Sequence, residues 1–184
     1  MTITPTPLKG CIILTPRIFN DDRGYFFETF NERSFNEALG SDVHFVQDNQ
    51  SYSTKGVLRG LHFQKGEHSQ AKLVRVTKGE VLDVAVDLRT GSATYGQQYS
   101  VTLSAENNAQ FFIPRGFAHG FLVLSDDAIF QYKCDNYYNK QSEGGLHYAD
   151  PSLGIDWEFD TSALLVSDKD KELPFLADAG ELGF

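Results

Sequence analysis

An arginine and a histidine lie three residues apart in an apolar run, Val57-Leu58-Arg59-Gly60-Leu61-His62-Phe63-Gln64. Imidazole can accept a proton near neutral pH, and a guanidinium binds anions such as phosphate. On a regular strand the two side chains would point to opposite faces, so a shared site requires Gly60 to bend or bulge the chain. With such a bulge, the segment predicts a base beside an anion-binding group. Without it, the segment predicts a surface arginine beside a core histidine.

A second histidine follows a turn in Pro114-Arg115-Gly116-Phe117-Ala118-His119. Proline and glycine predict the turn, after which His119 enters a strand and points into a barrel or joins the core, where it needs a hydrogen-bond partner. Asp83 and Asp87 share one face of another strand. Such carboxylates are solvated on an outer face, but one of them would orient a histidine if that face lined a cavity.

A tyrosine is the third candidate. Tyr132 shares a strand face with Phe130 and Cys134, a pattern that is typical of core packing. Taken alone, this pattern favours a structural role for Tyr132 over a catalytic one.

Short strands are the elements that would position these groups. The segment Val81 to Arg89 alternates strictly, with Leu82, Val84, Val86 and Leu88 on one face. Other extended runs, separated by turn residues, are Lys72–Thr77, Gln98–Leu103, Ala109–Ile113, Gly120–Leu124 and Ala128–Cys134. Many short strands at near-even spacing predict a sandwich or barrel, and hence a mainly β fold.

Helical signals are few. Asn31 is a good cap for a short helix over Glu32–Leu39, and the segment Thr161–Ser167 is a weaker second candidate. We therefore expect one or two short helices beside the strands.

The composition indicates a folded, acidic protein. Of the 184 residues 41% are hydrophobic, and the formal net charge is -9. The length favours a single domain over residues 1–184, and the lack of a Lys/Arg cluster argues against a nucleic-acid partner. The apolar run Cys11–Leu14 is too short for an export signal or a membrane span, so we expect a cytoplasmic protein with no membrane partner. Cys11 and Cys134 lie far apart and are expected to be buried, reduced thiols.

Six segments between Asp21 and Asp170 match, in the same order, the motifs of one enzyme family. They are Asp22–Glu28, Val46–Ser51, Gly56–Gln64, Lys72–Val76, Pro114–His119 and Tyr132–Lys133. Together they resemble the dTDP-4-dehydrorhamnose 3,5-epimerase family, and Pro114–His119 also resembles the second cupin motif. The resemblance implies a jelly-roll (cupin) barrel, a dTDP-4-keto-6-deoxy sugar as substrate, and no cofactor. It also implies a homodimer in which an N-terminal segment joins the neighbour's sheet, which the extended run Cys11–Leu14 permits.

The resemblance assigns catalytic roles to four residues. His62 matches the base that removes the sugar protons, and Lys72 matches the cation that stabilises the enolate oxygen. Tyr132 matches the acid on the opposite face of the sugar, as inversion requires. The carboxylate that holds the base lies in a Ser-x-x-Asp segment, where Asp170 is the preferred match and Asp168 the alternative after a small shift of register.

The resemblance also assigns residues that bind the nucleotide or the sugar. Tyr138 matches an aromatic ring that stacks on the thymine. The remaining matches are Arg23, Phe26, Glu28, Gln47, Asn49, Arg59, His119, Glu143 and Lys169. An acidic chain needs local positive charge to bind a diphosphate. Four of the matched residues supply it: Arg23, Arg59, Lys72 and Lys169.

Three alternatives stay open. A metal-dependent cupin oxygenase or isomerase usually has a His-x-His pair, but here Gln64 stands at the second position. Only His62 and His119 then remain as ligands, and His68 could join them only by an unusual loop path, whereas metal sites want about three or four protein ligands. We therefore expect no metal site. The second alternative is a single-carbon epimerase or a ketoisomerase. The third is a non-catalytic binding module, which would be expected to lack one of the catalytic groups.

Overall fold

A computed structural model describes all 184 residues, Met1 to Phe184, and consists mainly of short strands. The strands are β1 (Thr2–Pro5), β2 (Ile12–Thr15), β3 (Phe19–Asp21), β4 (Gly24–Phe26), β5 (Gln47–Thr54), β6 (Val57–Gln64), β7 (Lys72–Lys78), β8 (Glu80–Asp87), β9 (Gln98–Ser104), β10 (Gln110–Ile113), β11 (Phe117–Val123), β12 (Asp127–Cys134), β13 (Glu143–Gly145) and β14 (Leu165–Val166). The helices are α1 (Glu32–Leu39) and α2 (Asp168–Lys171), and the 3₁₀ turns are Gly66–His68, Lys140–Ser142, Thr161–Ala163 and Leu176–Asp178.

Two large sheets face each other. The first sheet has the strand order β1-β2-β10-β7-β12-β5, and the second has β13-β6-β11-β8-β9 with β14 beside β6. Strands β3 and β4 form a separate hairpin. The core between the sheets contains Val74, Phe111 and Phe130 from the first sheet and Ala85 and Phe121 from the second. The predicted mainly β, jelly-roll fold is confirmed.

Strand β8 alternates as predicted, but both of its faces are buried. Leu82, Val84 and Val86 pack in an apolar cluster on the outer side of the second sheet. Asp83 and Asp87 are also completely buried, which excludes the solvated alternative for both. Burial alone would raise the pKa of the Asp87 carboxyl, but hydrogen bonds from the side chains that follow β8 hold the pKa below its usual value.

Helix α1 has the predicted bounds and the predicted cap. The side chain of Asn31 accepts a hydrogen bond from the Ser34 N–H, and Gly40 ends the helix in the left-handed conformation. Phe35 anchors the helix against the outer face of the first sheet, with its ring centre 5.3 Å from that of Phe112.

The second predicted helix, Thr161–Ser167, is wrong. Only Thr161–Ala163 turns, as a short 3₁₀ segment that Asp160 caps. Leu165–Val166 instead forms β14, because its backbone pairs in parallel with β6 and Val166 packs against the outer apolar cluster. Helix α2 begins only after this strand, with Ser167 as its cap.

The N-terminal segment lies inside the first sheet. The predicted extended run Cys11–Leu14 overlaps β2, which lies between β1 and β10, so β1 is the edge strand of the sheet. Cys11 and Cys134 are both buried free thiols. Neither helix is long and apolar enough to cross a membrane.

A bulge in β6 puts Arg59 and His62 on the same side of the second sheet. His119 on β11 is paired with His62, whereas Phe121, two residues further on, is paired with Arg59. Strand β6 therefore has one residue more than β11 across this interval, which reverses the alternation of its side chains. The bend occurs at Gly60, whose φ is +126°, as the sequence required for a shared site.

Replacing Gly60 with alanine is expected to destabilise the protein more than replacing Gly91. A Cβ at Gly60 would lie 2.6 Å from the Gly120 Cα and 2.8 Å from the His119 carbonyl oxygen. Gly91 also has a positive φ, but a Cβ there would have no heavy atom within 4 Å. Gly91→Ala should therefore lose about 1–2 kcal/mol for the left-handed backbone alone. Gly60→Ala should lose about 3 kcal/mol or more, because two strands must separate.

Urea unfolding of the two variants and of the wild type measures this difference. Equal losses of free energy would contradict a requirement for close approach of β6 and β11.

Candidate active site

A cavity of about 460 Å³ opens at the bulge between the two sheets. The second sheet contributes Arg59, His62 and His119, and the first contributes Lys72 and Tyr132. This volume lies in the range of small-molecule sites. Groups that are scattered in the sequence thus line one cavity from two opposed walls, together with Asn49, Lys169 and Asp170.

His62 is held by a buried carboxylate. Its Nε2 donates to Asp170 Oδ1 at 2.7 Å, while the other Asp170 oxygen accepts the Gly60 N–H at 3.3 Å. Burial alone would raise the pKa of Asp170, but the hydrogen bonds from His62, Gly60 and Ser167 hold it below its ordinary value. An ionised Asp170 fixes the tautomer of His62, which leaves Nδ1 free to accept a proton.

Asp168 has a different environment from Asp170. Its side chain is 94% exposed and contacts only Lys171, at 3.2 Å. The structure thus pairs Asp170, and not Asp168, with His62.

His119 is held by a second buried carboxylate. Its Nε2 donates to Asp83 Oδ2 at 2.9 Å, which is the orienting arrangement that the sequence left open for Asp83. Burial lowers the pKa of His119 although Asp83 opposes the shift, so the ring is neutral at neutral pH. The second Asp83 oxygen, Oδ1, is buried without a hydrogen-bond partner.

Lys72 faces the same cavity from the first sheet. Burial lowers the pKa of its ammonium group, while Cys134 and Asp83 act in the opposite direction. Its Nζ lies 5.9 Å from the centre of the Tyr132 ring. An ammonium in this position can stabilise negative charge on a ligand in the cavity.

Tyr132 reaches the cavity from the first sheet, opposite His62. Burial raises the pKa of its hydroxyl group, so the phenol keeps its proton at neutral pH and can donate it. A base on one wall and an acid on the other can act on the two faces of one ligand.

The rim of the cavity is a connected set of polar side chains. Tyr138 donates through its hydroxyl to Glu143 at 3.1 Å, and Lys169 Nζ lies 2.6 Å from the same carboxylate. Gln47 accepts the Tyr138 N–H at 3.2 Å and donates to Asn49 at 3.0 Å. These predicted binding residues therefore lie together, and they leave the exposed Tyr138 ring at the entrance.

Ser53 is a neighbour of the candidate residue Arg59 that the sequence did not reveal. Its hydroxyl accepts from Arg59 Nε at 3.0 Å, and the Tyr52 carbonyl accepts from the same guanidinium at 3.5 Å. A serine near a turn is too common to indicate such a role, which depends on β5 and β6 meeting at one end of the cavity.

Three predicted binding residues belong neither to the cavity of their own chain nor to its rim. Arg23 is paired with Asp21 at the tip of the β3–β4 hairpin, where its side chain is 89% exposed. Phe26 is exposed on the same hairpin. Glu28 accepts from Asn31 and lines a separate cavity beside α1.

His68, the third metal ligand that the sequence analysis considered, does not line the cavity. His68 lies in the turn after β6, where its Nε2 is 3.0 Å from the side-chain nitrogen of Asn139. Gln64 is directed at the backbone of the same asparagine. The Nε2 atoms of His62 and His119 are both engaged by carboxylates.

Sequence comparison finds similarity along nearly the whole chain. A sequence model described as dTDP-4-dehydrorhamnose 3,5-epimerase matches residues 5–178. The dTDP-4-dehydrorhamnose 3,5-epimerase of Escherichia coli is 54% identical over 173 residues, which cover 94% of this chain and 93% of that protein.

Structural comparison agrees with the sequence. The crystal structure of dTDP-4-dehydrorhamnose 3,5-epimerase from Elizabethkingia anophelis has a TM-score of 0.95 and 54% identity, over 98% of this chain and 99% of that one. The dTDP-6-deoxy-D-glucose-3,5-epimerase from Legionella pneumophila, in complex with dTDP-4-keto-L-rhamnose, has a TM-score of 0.92 and 50% identity, over 96% of this chain and 93% of that one.

Asp170→Asn is expected to destabilise the protein in a pH-dependent way. Because the folded state lowers the pKa of Asp170, its ionised form stabilises the fold above the unfolded pKa, and this contribution is lost as the pH falls through the folded pKa. The difference in unfolding free energy between wild type and variant should therefore be larger at about pH 6 than at about pH 3.

Chemical denaturation across this pH range measures the difference. Asp168→Asn is the matched control, since its exposed side chain should change the free energy of unfolding little at either pH. A constant difference for Asp170→Asn would contradict the pairing.

Proposed function

The chain belongs to the dTDP-4-dehydrorhamnose 3,5-epimerase family, and we propose that it converts dTDP-4-dehydro-6-deoxy-D-glucose to dTDP-4-dehydro-L-rhamnose. One observation carries the proposal: the His62–Asp170 pair and the Tyr132 phenol line one cavity from opposed walls, with Lys72 beside the phenol. The reaction is an isomerisation that inverts C3 and C5 on either side of the C4 ketone. Each inversion removes a proton from one face and returns one to the other.

In the first step His62 Nδ1 removes the proton next to the ketone. Such a proton is a far weaker acid than imidazolium, and each pKa unit of mismatch amounts to about 1.4 kcal/mol. The base alone cannot overcome that gap. The Lys72 ammonium, which Asp83 helps to keep charged, therefore has to meet the negative charge that develops on the ketone oxygen.

In the second step Tyr132 donates a proton to the other face of the enolate. The raised pKa of its hydroxyl keeps this group protonated at neutral pH. Its place on the first sheet, opposite His62 on the second, supports inversion over return of the proton to the original face.

The nucleotide would occupy the rim. Arg59 and Lys169 offer positive charge for the diphosphate, and the exposed Tyr138 ring offers a face on which thymine can stack. We assign Gln47, Asn49, His119 and Glu143 to binding of the sugar or the nucleotide, as the motif resemblance implies.

Arg23, Phe26 and Glu28 require a second copy of the chain in this proposal. They lie on or beside the exposed β3–β4 hairpin, outside their own cavity. We propose a homodimer in which this segment of one chain completes the cavity of its partner. The single-domain organisation over residues 1–184 and the cytoplasmic location remain predictions from the sequence.

Solvent exchange tests the reaction directly. Chelator-treated protein is incubated with dTDP-4-dehydro-6-deoxy-D-glucose in deuterated water, and the sugar protons are followed by NMR. Deuterium at both C3 and C5 is the expected result. Deuterium at C3 alone would indicate a single-carbon epimerase or a ketoisomerase. Activity that appears only after a divalent metal is added would overturn the mechanism.

Replacing Tyr132 with phenylalanine should separate proton removal from inversion. The variant keeps His62. This residue can remove a proton, exchange it with deuterium from the solvent and return the deuterium to the same face. Product formation should fall by about 10²–10⁴-fold, while deuterium still enters the recovered substrate with unchanged configuration. NMR of substrate and product measures both quantities in one experiment.

Tyr95→Phe is the matched control, because Tyr95 is an exposed phenol outside the cavity. Inverted product formed by Tyr132→Phe at the wild-type rate would rule out Tyr132 as the acid.

A further inference from the structure

The Tyr138 ring is held in place by the backbone of its loop. The loop of residues 135–142 leaves the first sheet after β12 and reaches the second sheet at β13. Tyr138 lies at its middle and is 54% exposed. Apart from the bond of its hydroxyl to Glu143, the Tyr138 side chain has no hydrogen bond, so the direction of the ring also depends on how firmly the loop backbone is fixed.

Gln64 fixes that backbone from the second sheet. Its Oε1 accepts the Asn139 N–H at 2.7 Å, and its Nε2 donates to the Asn139 carbonyl oxygen at 2.9 Å. The Gln64 side chain is buried, with 5% of the residue exposed. Two hydrogen bonds from one planar amide fix the peptide groups on both sides of Asn139, including the group that follows Tyr138.

Gln47 fixes the preceding peptide group from the first sheet, since its Oε1 accepts the Tyr138 N–H. Side chains from both sheets therefore hold three successive peptide groups around Tyr138. The Asn139 side chain adds a local bond by accepting the Gln141 N–H at 2.9 Å. Such a loop is ordered before any ligand arrives, which reduces the entropy lost on binding.

We propose that Gln64 is a positioning residue for recognition of the nucleotide base. Through Asn139 it holds the Tyr138 ring where the base stacks, and it does not contact the ligand itself. This inference rests on the proposed function, in which Tyr138 is the stacking ring. It also gives a role to the glutamine that stands where metal-dependent cupins place a histidine.

Because Gln64 lies close to His62, the measurement has to distinguish a positioning role from a general structural role. Gln64 is two residues from His62 on β6 and is paired with Glu143 on β13. A structural role alone would disturb every ligand contact in the cavity. A positioning role should affect the base and spare the diphosphate.

Calorimetry with two probes, dTDP and inorganic pyrophosphate, tests this role on the full-length protein. Gln64→Leu removes both hydrogen bonds and should weaken dTDP binding by about tenfold or more, with pyrophosphate affinity changed by less than about threefold. Gln64→Met also lacks both hydrogen bonds but has about the length and volume of glutamine, so it should weaken dTDP binding similarly with less disturbance of the packing. This milder variant also carries the test if Gln64→Leu does not fold.

A double-mutant cycle connects the effect to the ring. Tyr138→Ala should weaken dTDP binding strongly in the wild-type protein and much less in Gln64→Leu, because the ring is already displaced there. Asn107→Ala is the control, since the Asn107 amide holds the backbone of a different turn by bonding to the N–H groups of Ser104 and Ala109. It should leave the affinity for dTDP unchanged.

The outcomes separate the two proposals. Wild-type protein that binds neither probe would count against the proposed function itself. Wild-type binding of dTDP together with unchanged binding by Gln64→Leu would overturn only the role of Gln64. Equal losses for dTDP and pyrophosphate, or additive effects of Gln64→Leu and Tyr138→Ala, would also overturn it.

Discussion

At the bulge in β6 the backbone of Gly60 passes so close to Gly120 on the neighbouring strand that neither position has room for a side chain. This approach reverses the alternation of β6, so that Arg59 and His62 line one cavity. The same glycine uses its N–H to hold Asp170, the carboxylate that orients His62. One backbone feature thus brings His62, Asp170 and Arg59 to one cavity, and the rest of the barrel keeps these two strands in contact.

Buried negative charge is the second organising element of the cavity. The protein is acidic overall, and a buried carboxylate lies behind each of the two histidines of the cavity, His62 and His119. Burying a carboxylate is unfavourable unless it is hydrogen-bonded or lies near a positive charge. Asp170 accepts several hydrogen bonds, whereas Asp83 has an oxygen without a partner and relies on His119 and the field of Lys72. The electrostatics of the site therefore couple His119 to Lys72.

Much of this arrangement could be read from the sequence, because strand alternation and motif order are local properties. The alternation predicted β8 and the barrel, and the segment around Gly60 predicted a bulge as the condition for a shared site. The errors have long-range causes. Leu165–Val166 is a strand because β6 offers it a partner, and Asp87 is buried because a following loop folds back onto it. The hydrogen bonds between Gln64 and Asn139 join residues 75 positions apart. Local sequence patterns carry no information at that separation.

In the one-turn helix α2, two adjacent residues contact different parts of the site. Lys169 reaches the ion pair at the rim, and Asp170 reaches the histidine in the interior. The contact at the rim and the contact with the histidine are therefore not structurally independent in this protein. A substitution that shifted this short helix to change the rim would therefore also shift the carboxylate behind His62.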